Sequence, residues 1–290
     1  MSWHFTAEAA GLPAAVRAYV DAEPARNTGV LTLLDGPPGI RGWWRAEGLV
    51  GGVCLLVGGS GSGGGGGMLV LGVMADAAAR ALPGALARAL PERGHEVREA
   101  RGEAGTVEAF AGPFAAATGR EPRAVLSLRL FRLGTLTPPR PAPRGAARAA
   151  GPGDVPLLLD WMCAYARDVG EDPDADYSAQ VEAMVGESRF LLWHEEDGAP
   201  VAMAGFSRPA AGQSRVSLVY TPPAHRARGY AGAVTAEASG AAAAAGAEQV
   251  LLFTDLANPT SNALYQRLGY RPIGDHTRVA FRRRSDPDTP

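Results

Sequence analysis

Lysine is absent from this chain; all 28 of its Lys and Arg positions are arginine. That absence removes whole classes of chemistry. No P-loop lysine, no Schiff-base lysine and no lysine to carry pyridoxal phosphate can exist here. The accompanying abundance of Ala, Gly, Pro and Arg is what a GC-rich genome produces. Cysteine is scarce as well. Cys54 and Cys163 lie far apart in apolar surroundings and read as small core residues, with no disulfide framework and no zinc site. The five histidines are scattered without metal-ligand spacing, so no metal is expected. A net charge of −2 gives no reason to expect nucleic acid as a partner. No apolar run is long enough to span a membrane. The opening "MSWHFTAEAA" has no basic segment followed by an apolar one, which predicts no signal peptide and a cytoplasmic location.

What is present is enough for two domains. The chain has 290 residues, 46% of them apolar and 20% charged, and either half can bury a core. The stretch "TPPRPAPRGAARAAGPG" (137–153) is rich in helix and strand breakers and reads as the boundary. The expected domains are 1–136 and 151–283, joined by a Pro/Arg-rich linker at 137–150. A disordered tail is expected at 284–290, with order fading beyond Phe281.

The second half has legible periodicities. Asp154 is placed to cap a helix whose apolar residues, Leu158, Trp161, Met162, Tyr165 and Val169, follow helical spacing until Gly170. After the acidic "EDPDAD", a short helix is predicted over 177–186. "RFLLWHEE" and "PVAMAGFS" read as a hairpin across Asp197-Gly198. Strands are predicted at 214–221 and 249–256, with a helix of small residues between them over 229–247. A helix capped by Asn258 and closed by Gly269 follows, then a strand at "RVAF". The first half repeats the layout in outline. It has a hairpin in "GWWRAEGLVGGVCLLV", a strand "MLVLGVM", helices near 76–90 and 106–118, and a strand "AVLSLRLFRL". Between its hairpin and third strand lies the glycine run 58–67, read as a flexible loop. An internal duplication is expected, in which the first copy lacks the segment that follows the third strand of the second.

That segment is "YTPPAHRARGYAGA" (220–233). A strand that ends in a glycine-containing turn and starts a helix aims several unpaired N–H groups, and the positive end of the helix dipole, at one place. The result is an anion site. Gly229, Ala231 and Gly232 leave room for close approach, and Arg226 and Arg228 add charge-assisted donors suited to phosphate. An ordinary turn with exposed arginines is the bland alternative.

The surroundings carry a resemblance. "RARGYA", with Arg226, Gly229 and Ala231 in the spacing Q/R-x-x-G-x-G/A, resembles the acyl-CoA signature of the GNAT superfamily of N-acyltransferases. "NPTSNALYQRLGY", with Asn258, Tyr265, Gly269 and Tyr270, is similar to that family's second motif. The resemblance covers roughly 150–281; over 1–136 it extends only to element order. It implies an α/β architecture of tandem GNAT-like folds, each a central mixed, mostly antiparallel sheet flanked by helices.

The resemblance also implies a function, transfer of an acetyl group from acetyl-CoA to a primary amine of a small molecule by direct attack in a ternary complex. In that scheme the N–H groups of 226–231 (Arg226, Ala227, Arg228, Gly229, Tyr230, Ala231) hold the pyrophosphate. The pantetheine arm bonds the backbone at Val219 and Thr221. The Val219 N–H polarises the acyl carbonyl, and Tyr265 is the acid for the thiolate. Asn258 is a helix cap and can also touch the donor. No carboxylate lies on "SRVSLVYT" to serve as base; Asp255 on the next strand is one candidate, a water chain another, and Asp255 reads equally as a loop carboxylate bonded to backbone N–H groups. Trp161, Tyr165 and Asp168 are candidates for an acceptor pocket. Trp161 and Tyr165 read equally as core, and Asp168 as part of a solvated acidic loop. Two other readings stand beside this one. The donor could be another acyl-CoA, or a thioester on an acyl carrier protein's phosphopantetheine; or the chain could be a non-catalytic acyl-CoA-binding module. Monomer and homodimer are both compatible.

Overall fold

A computed structural model describes residues 1–34, 36, 39–58 and 67–283. The interior of the glycine run (59–66) and the tail 284–290 lie outside the described residues, so the expectations for them stand untested. The elements, in chain order, are β1 (Ser2–Thr6), α1 (Ala14–Ala22), α2 (Thr28–Leu34), β2 (Gly39–Ala46), β3 (Leu49–Val57), β4 (Gly67–Met74), α3 (Asp76–Ala89), β5 (Val97–Glu103), α4 (Ala104–Thr118) and β6 (Arg120–Leu133). They continue with β7 (Ala146–Ala149), α5 (Val155–Val169), α6 (Ser178–Gly186), β8 (Phe190–His194), β9 (Pro200–Phe206), β10 (Gln213–Tyr220), α7 (Tyr230–Ala244), β11 (Gln249–Asp255), α8 (Pro259–Arg267) and β12 (Tyr270–Arg283). Leaving out the short 3₁₀ turns, the order β-α-α-β-β-β-α-β-α-β occurs twice. The duplication suspected in outline runs through every element. No helix among the described residues is long and apolar enough to cross a membrane.

By its contacts the chain divides into two units, and each takes a piece of the other half of the sequence. The first unit is 1–130 with 255–257 and 273–290; the second is 131–254 with 258–272. These limits differ from the domains expected at 1–136 and 151–283. In the first unit β12 runs antiparallel to β5, pairing His276 to Ala280 with Glu103 to Glu99. Val279 and Phe281 of β12 sit in that unit's core beside Phe110 and Leu82. Phe131, at the end of β6, is fully buried in the second unit's core. The last strand begins directly after Gly269, eight residues before the predicted "RVAF", and continues through Arg283, past the point where disorder was expected. The supposed linker also contains β7, paired antiparallel with β8 from Ala146↔His194 to Ala149↔Leu191.

In the second unit, β7, β8, β9 and β10 pair antiparallel and β10 pairs parallel with β11. Side chains alternate between the faces, as a strand's twofold period requires. Leu191, Trp193, Ala202 and Ala204 join α7 on one face. Phe190, Leu192 and Met203 join α5 and α6 on the other. Alanine favours helix, and a helix of small residues can lie close against a sheet; α7 buries Gly232, Ala233, Val234, Ala236, Ala238 and Ala242. The first unit has the same two layers. Val16, Val20, Leu31 and Leu34 of α1 and α2 pack on Val53, Leu55 and Val70. Leu82 of α3 and Phe110 and Phe114 of α4 pack on Cys54, Leu56 and Leu69 across the sheet.

One cap differs from expectation. Asp154 makes no side-chain cap to α5. A 3₁₀ turn at 152–154 precedes the helix, so the carboxylate points back to accept the Gly151 N–H at 2.8 Å and both Arg148 Nη groups at 2.7 and 2.8 Å. Those bonds draw its carboxyl pKa down to about 2.

Candidate active site

The site is built where β10 and β11 stop pairing. Their parallel register runs from Gln213↔Gln249 to Val216↔Leu252 and goes no further. On its other side β10 pairs with β9 at Ser217↔Gly205 and next at Tyr220↔Met203, a bulge that leaves Leu218 and Val219 without partner residues across the ladder. Leu218 takes φ +57 to make it. Such a left-handed residue is strained in a non-glycine and is held by surrounding structure. Its side chain is anchored in the α5/α6 core.

Past the bulge, the connection 221–229 leads into α7. Pro222 and Pro223 start a 3₁₀ turn, closed by His225 N–H to Pro222 C=O at 2.9 Å and Arg226 N–H to Pro223 C=O at 3.3 Å. Of the N–H groups at 226–231 expected to hold pyrophosphate, that of Arg226 is used in this turn. Ala227 (φ +61) and Gly229 (φ +86) turn the chain into the helix, whose first bond is Ala233 N–H to Gly229 C=O at 3.1 Å. Among the described residues the N–H groups of Ala227, Arg228, Gly229, Tyr230, Ala231 and Gly232 have no acceptor. Two side-chain atoms of the connection, Thr221 Oγ1 and His225 Nδ1, are buried and also have no hydrogen-bond partner. Buried polar groups are almost always bonded, so these two atoms stand out in the connection.

The two arginines are held by carboxylates. Arg226 donates from Nε to the Thr221 C=O at 3.0 Å and from Nη2 to Asp168 at 2.5 Å. Its guanidinium lies 6.0 Å from the Tyr220 ring centroid. Arg228 Nη1 is 3.6 Å from Glu195 Oε1, the same oxygen that accepts from the Tyr230 hydroxyl. That hydrogen bond, ahead of burial, raises the Tyr230 pKa above its ordinary value. Asp168, read from sequence as an acceptor-pocket carboxylate, is thus bonded to the loop arginine, because the last turn of α5 reaches that far. Glu195 went unnoticed in the sequence, where it is one of three consecutive acidic residues in a hairpin with nothing local to single it out. So did the proline-rich stretch treated as linker. A Cβ on Gly229 would lie 3.9 Å from Pro143, and one on Gly232 would lie 3.5 Å from Pro139. The stretch walls the first turn of α7.

Tyr265 lies on α8, 8% exposed, its ring edge-on to Tyr270 at 6.1 Å between centroids. Among the described residues its hydroxyl has no hydrogen-bond partner, whereas Tyr270 shares a 2.7 Å bond with Ser239. Burial raises the Tyr265 hydroxyl pKa, so it stays protonated. Tyr165, on α5, is raised by burial first, then by Glu171 and Tyr265. Trp161 packs its ring 6.0 Å from Tyr220. Asn258 caps α8 as expected, accepting the Ser261 N–H at 3.0 Å. Asp255 ends β11, and its carboxylate accepts the Ala257 N–H at 2.9 Å. This is the loop-carboxylate arrangement, one of the two readings of Asp255 made from sequence. Among the described residues no cluster of His, Cys, Asp and Glu has the makings of a metal site.

Comparison with known proteins fits this geometry. Residues 155–270 match the acetyltransferase (GNAT) family. Among the curated proteins, none matches the sequence. Several solved structures share the fold over nearly the whole chain. A GCN5-related N-acetyltransferase from Sphaerobacter thermophilus is 18% identical with a TM-score of 0.66, covering 96% of this chain and 94% of its own. A GNAT-family acetyltransferase from Colwellia psychrerythraea is 11% identical with a TM-score of 0.59, covering 97% and 99%. A tandem GNAT protein from the clavulanic acid biosynthesis pathway is 13% identical with a TM-score of 0.59, covering 99% and 100%. Residues 155–270 are thus a GNAT-family acetyltransferase domain, set in a chain that has the tandem GNAT fold from end to end.

Proposed function

We propose that the second unit transfers an acetyl group from acetyl-CoA to the primary amine of a small molecule, by direct attack in a ternary complex. The observation that carries this reading is the run of N–H groups without acceptors from Ala227 to Gly232, opening beside the parting of β10 and β11. Pyrophosphate suits that run, with Arg226 and Arg228 beside it. The pantetheine arm would bond the backbone at Val219, in the β10 bulge, and at Thr221, just beyond the strand, as a strand bonds its neighbour. The Val219 N–H would meet the acyl carbonyl; a single donor of this kind contributes about 3 kcal/mol in other acyl-transfer enzymes. The amine lone pair attacks the carbonyl carbon, the C–S bond breaks, and the thiolate is met by the Tyr265 hydroxyl. The proton lost from the amine leaves by a group not yet assigned.

Titration calorimetry tests the reading. Acetyl-CoA and CoA should bind, phosphopantetheine should bind less tightly, and Arg226→Ala should weaken CoA binding about 10- to 100-fold, the value of one charge-assisted hydrogen bond. No heat from CoA at any concentration would remove the proposal. A second reading, a donor carried on an acyl carrier protein, has one observation in its favour. Asp168 and Glu195 already neutralise Arg226 and Arg228, and a phosphopantetheine arm without the adenosine end would leave those pairs intact. On that reading Arg226→Ala would leave phosphopantetheine binding unchanged.

A further inference from the structure

The duplication extends to a detail of the third strand in each copy. In the first unit β4 pairs with β3 at Cys54↔Leu71 and next at Gly52↔Met74, skipping Gly72 and Val73. In the second unit β10 makes the same bulge over Leu218 and Val219. The parallel partners also part at the same step, after Val70↔Arg101 in one copy and Val216↔Leu252 in the other. Val73 is therefore the counterpart of Val219.

The two positions differ in what faces them. The Val73 N–H donates to Asn27 Oδ1 at 2.9 Å, and the Val73 C=O accepts from the Tyr19 hydroxyl at 3.0 Å. Asn27 is 1% exposed, and its Nδ2 is tied to the Val20 C=O at 3.2 Å. Its oxygen lies so near β4 that a Cβ on Gly72 would stand 2.9 Å from it. A carboxamide C=O at this N–H has the same chemistry as an acyl C=O there, and the tyrosine hydroxyl takes the place of an amide donor. The parting of the strands is closed as well. Gly102 approaches until a Cβ would lie 2.9 Å from the Leu71 carbonyl oxygen. The corresponding step of the second unit carries Phe253, with the Arg215 guanidinium 5.8 Å over its ring. The first unit has no room for a phosphate loop either, since α3 starts two residues after β4 ends.

We infer that Asn27 is a built-in occupant of the first unit: it holds the backbone N–H that the second unit keeps for the donor's acyl group, and with no room for a phosphate loop there the chain has one donor site. The meaning of Val219 rests on the proposed function; the closure of the first unit does not.

Residue-resolved amide exchange on the full chain, with and without acetyl-CoA, tests both parts. In the ligand-free protein the Val73 amide should exchange at least about tenfold more slowly than that of Val219, as one buried hydrogen bond implies. Acetyl-CoA should slow Val219 and leave Val73 as it was, and calorimetry should count one acetyl-CoA per chain. Asn27→Ala should release Val73 about tenfold while the count stays at one. Equal rates at the two valines, a Val73 amide indifferent to Asn27→Ala, or two acetyl-CoA per chain would overturn the inference. Where acetyl-CoA fails to bind at all, the proposed function falls, and the ligand-free exchange rates still decide whether the first unit is closed. Because that comparison uses the unaltered protein, it holds even if Asn27→Ala does not fold.

Discussion

Tyr265→Phe lowers kcat about 10²- to 10⁴-fold, the range over which a positioned proton donor acts, and leaves the stability of the protein almost unchanged. The pairing of these two outcomes is what the structure makes specific. A buried tyrosine usually bonds its hydroxyl, and losing it then costs stability. Here the hydroxyl has no partner among the described residues, while the ring, in contact with Tyr270, is kept by phenylalanine. Burial first, and then Tyr270, raises the hydroxyl pKa, so the group stays protonated, as the proposed donor role requires. Steady-state kinetics with a responsive amine, alongside thermal unfolding, reads both. An unchanged kcat would remove Tyr265 from the mechanism; a large fall in melting temperature would show a structural tyrosine instead.

Gly269→Ala destabilises the second unit by about 2–5 kcal/mol, adding the cost of left-handed backbone to that of overpacking. Gly269 ends α8 at φ +98, and a Cβ there would stand 2.0 Å from the Thr135 carbonyl oxygen. That oxygen belongs to backbone that cannot swing aside, because Gly134 N–H bonds the Gly269 C=O at 3.0 Å and Thr137 N–H bonds the Leu268 C=O at 2.9 Å. By contrast, Gly246, at φ +99, has open space where its Cβ would go, so Gly246→Ala carries only the conformational part, about 1–2 kcal/mol. Thermal or urea unfolding of the two variants side by side separates the terms. Equal losses would show that the Thr135 contact relaxes freely.

Much of the candidate site was legible because its parts are local. Arg226, Gly229 and Ala231 lie within six residues, and a strand exit, a turn and a helix start follow from what those residues permit. Asn258 and Gly269 cap α8 through contacts spanning a few positions. The hairpin at Asp197-Gly198 needed only a glycine at φ +85 between two alternating runs. Errors appeared where one residue had several local options. Asp154 bonds Gly151 and Arg148 rather than α5, and the Arg226 N–H closes a 3₁₀ turn. The N-terminal β1, α1 and α2 and the short β5 and β7 carry weak or brief patterns and gained no assignment from sequence.

The sequence by itself determined α5 to α8 and β8 to β11 of the second half, the turn at 221–229 and the place of Tyr265 on α8, since each depends on propensity, capping and spacing over one or two turns of chain. Only the tertiary structure decided which carboxylates hold the two arginines, with Asp168 lying 58 positions from Arg226, and that Asn27 meets Val73 across 46 positions. It alone placed the last strand beside β5, where Arg278 pairs with Glu99 across 179 positions. Loop closure costs only slightly more for a long loop than for a short one, so the chain pattern leaves many distant pairings nearly equal in entropy. The choice among them is made by which strand register buries both apolar faces at once, and that is a property of the packed molecule.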